Sequence, residues 1–393
     1  MRRKGIIVSS VRQREGTEYV VFDGKKYHRI ASQERIRGKA VEFDENGIYP
    51  AGRDAWKAVH DHFVKDLRPE IELPEEISFL RGSMELLWKE LAFLKIANER
   101  PLVFHDGDAD GIISALLIEE AVGRFKGWHE VRGISHWALQ DGNVTYPVEQ
   151  PLALFLDLGS DWNDRPGVCL TAHFVPTFVI DHHFAERTHS CATIINPAIH
   201  DPELSKYNTA TLVSYLVSSW VKKEEWVRIA AAGDKSSVVE WTREDRRKAL
   251  ALEMAYSVNR SLSVARRVLE TEDWKAFWDL FEMKIEMVLE NAEMEEKEVG
   301  ERKVLIVKLP YTPTYPHKGK IASYLMDERG YDVVIVTDAE RVQRYTVTLR
   351  GRVDLLSIVK DLGVEDYWGH PNAVSLSTTD PDAVVKRVLE RLH

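Results

Sequence analysis

The chain moves between short β-patterned runs and longer helical stretches, and the pattern changes character twice. Residues 4–50 hold five brief runs, Lys4–Ser9, Glu18–Phe22, Lys26–Ile30, Lys39–Phe43 and Ile48–Tyr49. Asp23-Gly24 and Glu45-Asn46-Gly47 supply turns between them. Five strands this short and this closely spaced predict a small β-barrel of the OB or a related kind. Residues 53–98 read as helical, with a break around Pro69 and Pro74. From residue 101 unbroken apolar runs begin to end on aspartates. Leu102-Val103-Phe104 precedes an Asp cluster and an apolar helix over Ile112–Val122, Leu152–Leu156 ends at Asp157, and Phe178-Val179-Ile180 ends at Asp181. Strand, acidic turn and helix in repetition predict an α/β domain with a parallel sheet and a site at the strands' C-terminal ends.

Residues 243–298 read as a long charged helical connector, closed by the Glu/Lys run over 293–303. A second, smaller α/β unit follows. It comprises strands Val304–Lys308, Val333–Thr337, Tyr345–Leu349 and Ala373–Leu376, helices Lys318–Arg329, Leu355–Leu362 and Pro381–Leu392, and a turn at Gly369-His370. The expected domains are therefore 1–52, 53–242, 243–300 and 301–393.

Composition narrows the function classes. No apolar run approaches the ~18 residues that span a bilayer. Met1-Arg2-Arg3-Lys4 leads into a strand-like run rather than an apolar signal core, so no membrane or secretory role is expected. The two cysteines, Cys169 and Cys191, stand far apart, which predicts a cytoplasmic protein and no disulfide framework. The net charge of −10 opposes nucleic-acid binding at first sight, but residues 1–40 hold eleven Lys/Arg against four Asp/Glu. That stretch is +7 and leaves −17 on the remainder, a basic module on an acidic body. Arg12, Arg14, Lys25, Lys26 and Arg29 alternate with Tyr19, Phe22 and Tyr27, a mixture of cations and rings suited to single strands.

The acidic turns carry the chemistry. Asp106-Gly107-Asp108-Ala109-Asp110-Gly111 aims three carboxylates into a small volume, where each raises the others' pKa unless a cation intervenes. Asp157-Leu158-Gly159, Asp181-His182-His183 and Gly233-Asp234 follow in order. Aspartates with a histidine make a mixed O/N ligand set that suits Mn²⁺, with Mg²⁺ as the alternative. Small residues before Asp234 allow its backbone to approach a crowded site. An EF-hand loop is opposed by the preceding buried strand and by Glu119 and Glu120 lying within an apolar helix.

These four motifs, in this order, resemble the DHH phosphoesterase superfamily, and the Asp-x-Asp-Ala-Asp-Gly form of the first is similar to its RecJ exonuclease branch. Thr348-Leu349-Arg350 and Trp368-Gly369-His370 resemble the strand and turn of the family's companion substrate-binding domain, with Trp368 in place of the usual first glycine. The resemblance covers roughly residues 85–393. It implies that Asp106, Asp108, Asp110, Asp157, His182 and Asp234 hold two Mn²⁺ ions, with Asp157 between them. It also implies that Asp157, Asp181 and His183 take part in catalysis, and that His183, Arg350, Gly369 and His370 hold the substrate between the lobes. The expected activity is exonucleolytic hydrolysis of single-stranded DNA or RNA, with replication or repair proteins as partners. A small-nucleotide phosphoesterase acting on short oligoribonucleotides, cyclic dinucleotides or 3′-phosphorylated adenosine nucleotides is the rival. A non-catalytic replication scaffold is a third reading, opposed by the complete ligand set.

Overall fold

The computed structural model describes residues 2–14, 16–36, 38–125, 131–142, 151–341, 344–364 and 366–392. The chain divides into two compact units, residues 1–271 and 272–393.

The first unit opens with strands β1 (Arg3–Gln13), β2 (Gly16–Phe22), β3 (Tyr27–Ser32), β4 (Ala40–Asp44) and β5 (Gly47–Pro50). They form one antiparallel sheet in the order β3-β2-β1-β4-β5. The five predicted strands are present. β3 and β5 approach one another, but among the described residues no ladder joins them, so the sheet is not closed by hydrogen bonds into a barrel. One face buries Ile7, Tyr19, Val21, Val41, Phe43 and Ile48 together. The other places Ile6 and Phe22 against Val59 of helix α1 (Arg53–Val64) and Phe93 of helix α2 (Arg81–Ala97). The sheet is thereby packed onto the body of the unit.

The body is built on β6 (Leu102–His105), β7 (Val131–Gly133), β8 (Ala153–Leu156), β9 (Thr177–Ile180) and β10 (Thr193–Ile195). These run parallel in the order β10-β9-β8-β6-β7. Helices α3 (Ala109–Val122), α4 (His136–Gln140), α5 (Arg165–Ala172), α6 (Thr209–Val217), α7 (Glu224–Asp234), α8 (Arg243–Asn259) and α9 (Leu262–Glu270) complete the unit. β6, β8 and β9 are four-residue runs buried throughout, as strands covered on both faces must be. Helix α3 is buried at every position but Glu120, where Arg266 of α9 pairs with both Glu119 and Glu120. That pairing accounts for the two acids that an EF-hand would have used. No described helix is long and apolar enough to cross a membrane.

Cys169 of α5 and Cys191, just ahead of β10, are joined as a disulfide. The expectation of unlinked cysteines is thus corrected. Separation along the chain is no guide here, because Val168, Cys191 and Ile194 share one hydrophobic cluster on the sheet.

The second unit contains α10 (Trp274–Leu289), β11 (Glu293–Val299), β12 (Arg302–Leu309), α11 (Lys318–Arg329), β13 (Val333–Arg341), β14 (Arg344–Gly351), α12 (Leu355–Asp361), β15 (Tyr367–His370), β16 (Ala373–Thr378) and α13 (Pro381–Arg391). The mixed sheet runs β11-β12-β13-β14-β16-β15, with β12 and β13 parallel. The acidic segment 293–299, read as helical, is an exposed edge strand paired with β12. Its charge keeps an open edge from recruiting another chain.

Candidate metal centre

Adjacent parallel strands bring their C-terminal ends together, so the turns after β6, β8 and β9 converge. Asp106 and Asp108 follow β6, Asp110 lies in the first turn of α3, Asp157 follows β8, and Asp181, His182 and His183 follow β9. Asp234 arrives as the last residue of α7. Ligand atoms of Asp106, Asp108 and Asp157 lie within 4.8 Å of one another, as do those of Asp110, His182 and Asp234. Asp157 also shares such a group with His182 and His183. All six residues expected from the sequence to hold metal are therefore brought together, in two groups with Asp157 touching both.

The packing at this point depends on glycine. A Cβ on Gly111 would stand 2.5 Å from the Asp106 carbonyl oxygen, and one on Gly233 would stand 3.0 Å from the Ala109 Cβ. The close approach expected before Asp234 is what occurs. Asp157 itself has φ +66, in the left-handed region that few residues besides glycine, asparagine and aspartate adopt.

Hydrogen bonds decide which way each group faces. His182 Nδ1 lies 2.8 Å from the Ser205 carbonyl oxygen, so it carries the hydrogen. Nε2 faces Asp157 at 3.4 Å, Asp234 at 3.6 Å and Asp110 at 3.8 Å, and in the neutral imidazole it carries the lone pair. A buried lone pair surrounded by carboxylates is repulsive; a divalent cation turns the same arrangement into a ligand sphere, with the carbonyl orienting the imidazole from behind. Asp157 Oδ2 is buried without a hydrogen-bond partner among the described residues, while Oδ1 accepts from Thr209 Oγ1 at 3.2 Å. This orphaned oxygen fits a metal ligand. Burial first, and then the charges of Asp110, Asp108, Asp234 and Asp106, push the Asp157 carboxyl well up. Burial and Asp108 push Asp110 up to about 7, against the donors from Ala210 and Thr209.

Asp181 is of a different kind. Its Oδ1 accepts from His182 N (2.8 Å), His183 N (3.2 Å) and His183 Nδ1 (2.8 Å). Its Oδ2 accepts from Ser160 N (3.2 Å) and Ser160 Oγ (2.6 Å). Burial alone would raise its pKa, but the neighbouring His183 charge and these donors hold it far below the usual carboxylate range. His183 is partly exposed and presents its other nitrogen away from Asp181.

Several further residues position these groups. Asn208 Nδ2 and the backbone N–H groups of Thr209 and Ala210, at the start of α6, all donate to Asp110 at 2.7–2.8 Å. Asn196 Nδ2 donates to Ser160 Oγ and to the His183 carbonyl, both at 2.9 Å. Along α8, Arg246 donates to the carbonyls of Ala232 and Gly233, Glu253 accepts from Ala109 N, and Tyr256 Oη lies 3.1 Å from His105 Nε2. Residues seven and ten apart on one helix share a face, but nothing local ties that face to a carboxylate site.

In the second unit, Arg350 and His370 both register against Ala373, from opposite sides of β16. A Cβ on Gly369, at φ +128, would lie 2.1 Å from the Ala373 carbonyl oxygen, so glycine is required there. Gly319 leaves room for the Arg350 guanidinium, which a Cβ would approach to 2.7 Å. On the N-terminal sheet Arg12, Arg14, Lys25 and Lys26 are exposed, and Arg29 lies 3.7 Å from Glu18 at the surface. Tyr19 and Phe22 are core and only Tyr27 is exposed, so the predicted ring surface reduces to one ring.

Comparison with solved structures supports the same architecture. A DHH-domain protein described as a member of the S1p family of ribosomal proteins superposes with a TM-score of 0.61 over 86% of this chain and 98% of its own, at 16% identity. The chain has the fold of DHH-domain proteins. RecJ from Thermus thermophilus, solved with Mn²⁺, aligns at 20% identity over 86% of this chain and 58% of its own, with a TM-score of 0.47. Another RecJ exonuclease bound to manganese gives 17% identity over 82% of this chain and 96% of its own, with a TM-score of 0.43. No protein-family model and no curated protein sequence matches the chain.

Proposed function

We propose that this DHH-fold protein is a metal-dependent phosphodiesterase that removes nucleotides from the end of single-stranded DNA or RNA. The observation that carries the reading is His182 Nε2 facing three carboxylates, with Nδ1 held by a carbonyl. Asp106, Asp108 and Asp157 would hold one Mn²⁺, and Asp110, His182, Asp234 and Asp157 the other, with Mg²⁺ as substitute. Two such ions, when bound, lower the pKa of water and neutralise charge on a phosphoryl group in transfer. The chain's own groups do the rest. Asp181 holds the His183 imidazole through Nδ1, so that Nε2 is set to meet the scissile phosphate or the leaving oxygen. Asp157, held in a left-handed turn, keeps both ligand groups in register. Arg350, Gly369 and His370 are assigned to a terminal phosphate, for which a guanidinium is a bidentate donor. Arg12, Arg14, Lys25, Lys26 and Arg29 would extend the track for a strand.

The second reading, hydrolysis of short oligonucleotides or cyclic dinucleotides, is favoured by the acidic body and by the single exposed ring on the N-terminal sheet. The two separate on substrate length. Mn²⁺-dependent turnover of an end-labelled single strand of ~30 nucleotides should exceed that of a dinucleotide and give a ladder of mononucleotide steps. Faster turnover of the dinucleotide would favour the second reading, and no metal-dependent turnover of either would defeat both.

A further inference from the structure

A second cluster adjoins the Asp157 turn. Ligand-type atoms of Cys169, His189 and Cys191 lie within 4.8 Å of one another. His189 is 7% exposed, and its Nε2 lies 2.7 Å from the Gly159 carbonyl oxygen, so Nε2 carries the hydrogen. Its Nδ1 lone pair then faces Cys191 Sγ at 3.2 Å. With the disulfide closed, that sulfur has no proton to offer, and a buried imidazole nitrogen faces a group that cannot donate. On reduction the Cys191 thiol becomes the missing donor. Both cysteines are partly exposed, which leaves them open to small thiols and disulfides. A disulfide serving only to staple the fold would need neither a buried base aimed at one sulfur nor such access.

We propose that Cys169, His189 and Cys191 form a redox site: a dithiol–disulfide pair that exchanges with low-molecular-weight disulfides, with Cys191 as attacking sulfur and His189 as its base. In the reduced chain the Cys191 proton passes to His189 Nδ1. The thiolate bonds to one sulfur of the small disulfide, whose S–S bond breaks, and the departing thiolate takes the proton from His189. Cys169 then attacks the Cys191 sulfur, expels the second small thiol and hands over its proton. Two protein thiols are oxidised and one small disulfide is reduced to two thiols; the reverse sequence reopens the pair. Closure ties α5 to the segment carrying His189, and His189 holds the carbonyl two residues beyond Asp157. Closure therefore fixes the turn that presents Asp157. Only this last link rests on the phosphodiesterase reading.

The test uses the full chain, reduced with dithiothreitol, desalted and treated under native conditions with the aromatic disulfide 5,5′-dithiobis(2-nitrobenzoate). Two equivalents of aromatic thiolate should be released per chain, leaving an internal disulfide by mass. Cys169→Ser should release one equivalent and stop as a mixed disulfide on Cys191. Cys191→Ser and His189→Gln should each slow the first step by about tenfold or more, the loss expected when a thiolate loses its imidazole partner. Cys169 reacting first, an unchanged rate in His189→Gln, or failure of the internal disulfide to form would overturn the proposal. So would one equivalent of Zn²⁺ retained on the reduced cysteines, which would make the cluster a metal site. Mn²⁺ affinity, measured by titration on both forms, should be several-fold weaker in the reduced chain. Equal affinities would remove the link to Asp157. Absence of Mn²⁺ binding in both forms would remove that link together with the phosphodiesterase reading, while the thiol readouts would still stand.

Discussion

The carboxylate centre and the basic N-terminal sheet carry opposite charge, and they hold it in opposite ways. In the centre Asp110 and Asp157 are buried, oriented by named donors, and pressed against one another where solvent screens little. On the sheet the cations stand in water; Arg29 is 81% exposed and its ion pair with Glu18 is long. Charge held in a low-dielectric site is coupled strongly to its neighbours, whereas exposed charge is screened within a Debye length of roughly 8 Å at physiological salt. A single change should therefore be severe in the first region and graded in the second.

The largest effect is expected for Asp157→Asn. It removes one charge from both ligand groups, and Mn²⁺-dependent hydrolysis should fall by more than about 100-fold, beyond the usual loss for an outer-shell partner. Calorimetric titration should show weakened binding of both ions; loss of only one would separate the two groups. Next is Asp181→Asn, which keeps the shape but weakens five donor contacts and loosens the hold on the His183 imidazole. A fall in kcat of about 10- to 100-fold is expected, with Mn²⁺ affinity changed less. An equal loss of affinity would make Asp181 part of the metal centre itself.

Metal-free stability against pH is the third test. Asp110, raised to about 7, and Asp157, raised in the same direction, bind protons more tightly folded than unfolded. Their stabilisation is complete below the ordinary aspartate range near pH 4 and is lost as pH rises through about 7. Asp181 is shifted the opposite way, so its contribution is lost only as pH falls below the ordinary range. Melting temperature without metal should therefore decline between about pH 4 and 7, and added Mn²⁺ should raise it most at the upper end, where the cation displaces the fewest protons. A flat profile would mean that the carboxylates are not coupled as the packing requires.

The smallest effect belongs to the sheet. Deleting it would expose Phe93 and test folding rather than binding, since Ile6 and Phe22 pack there. Changing Arg12, Arg14, Lys25, Lys26 and Arg29 to Ala in turn should weaken single-strand binding a few-fold each. The slope of log affinity against log salt should drop by about 0.7 per lost phosphate contact. Dinucleotide hydrolysis should be unaffected. An unchanged slope in all five would take the sheet out of the nucleic-acid track.

The first three acidic turns and the apolar strands before them were legible because each is local: a buried strand and a charged turn leave a period and a boundary in adjacent residues, whereas Asp234 closes a helix. Helix α11 matches its predicted span, Lys318–Arg329, for the same reason. The charged segment 293–299 was misread because its composition is as compatible with a helix as with a strand, and only pairing with β12 decides between them. Asn208, Thr209, Arg246, Glu253 and Tyr256 were not legible as site residues, since each acts on a carboxylate or backbone group far away in the chain.

The chain's order of residues by itself determined which side chains could ligate a cation, and that several would sit at strand ends. Folding decided their number and direction: which nitrogen of His182 faces the carboxylates, which oxygen of Asp157 lacks a hydrogen bond among the described residues, that Asp181 is saturated by donors, and that Cys169 meets Cys191. The physical reason is range. Periodicity and turn chemistry act over a few residues, whereas hydrogen-bond direction, burial and the shift of a carboxyl group depend on neighbours brought in from anywhere along 393 residues.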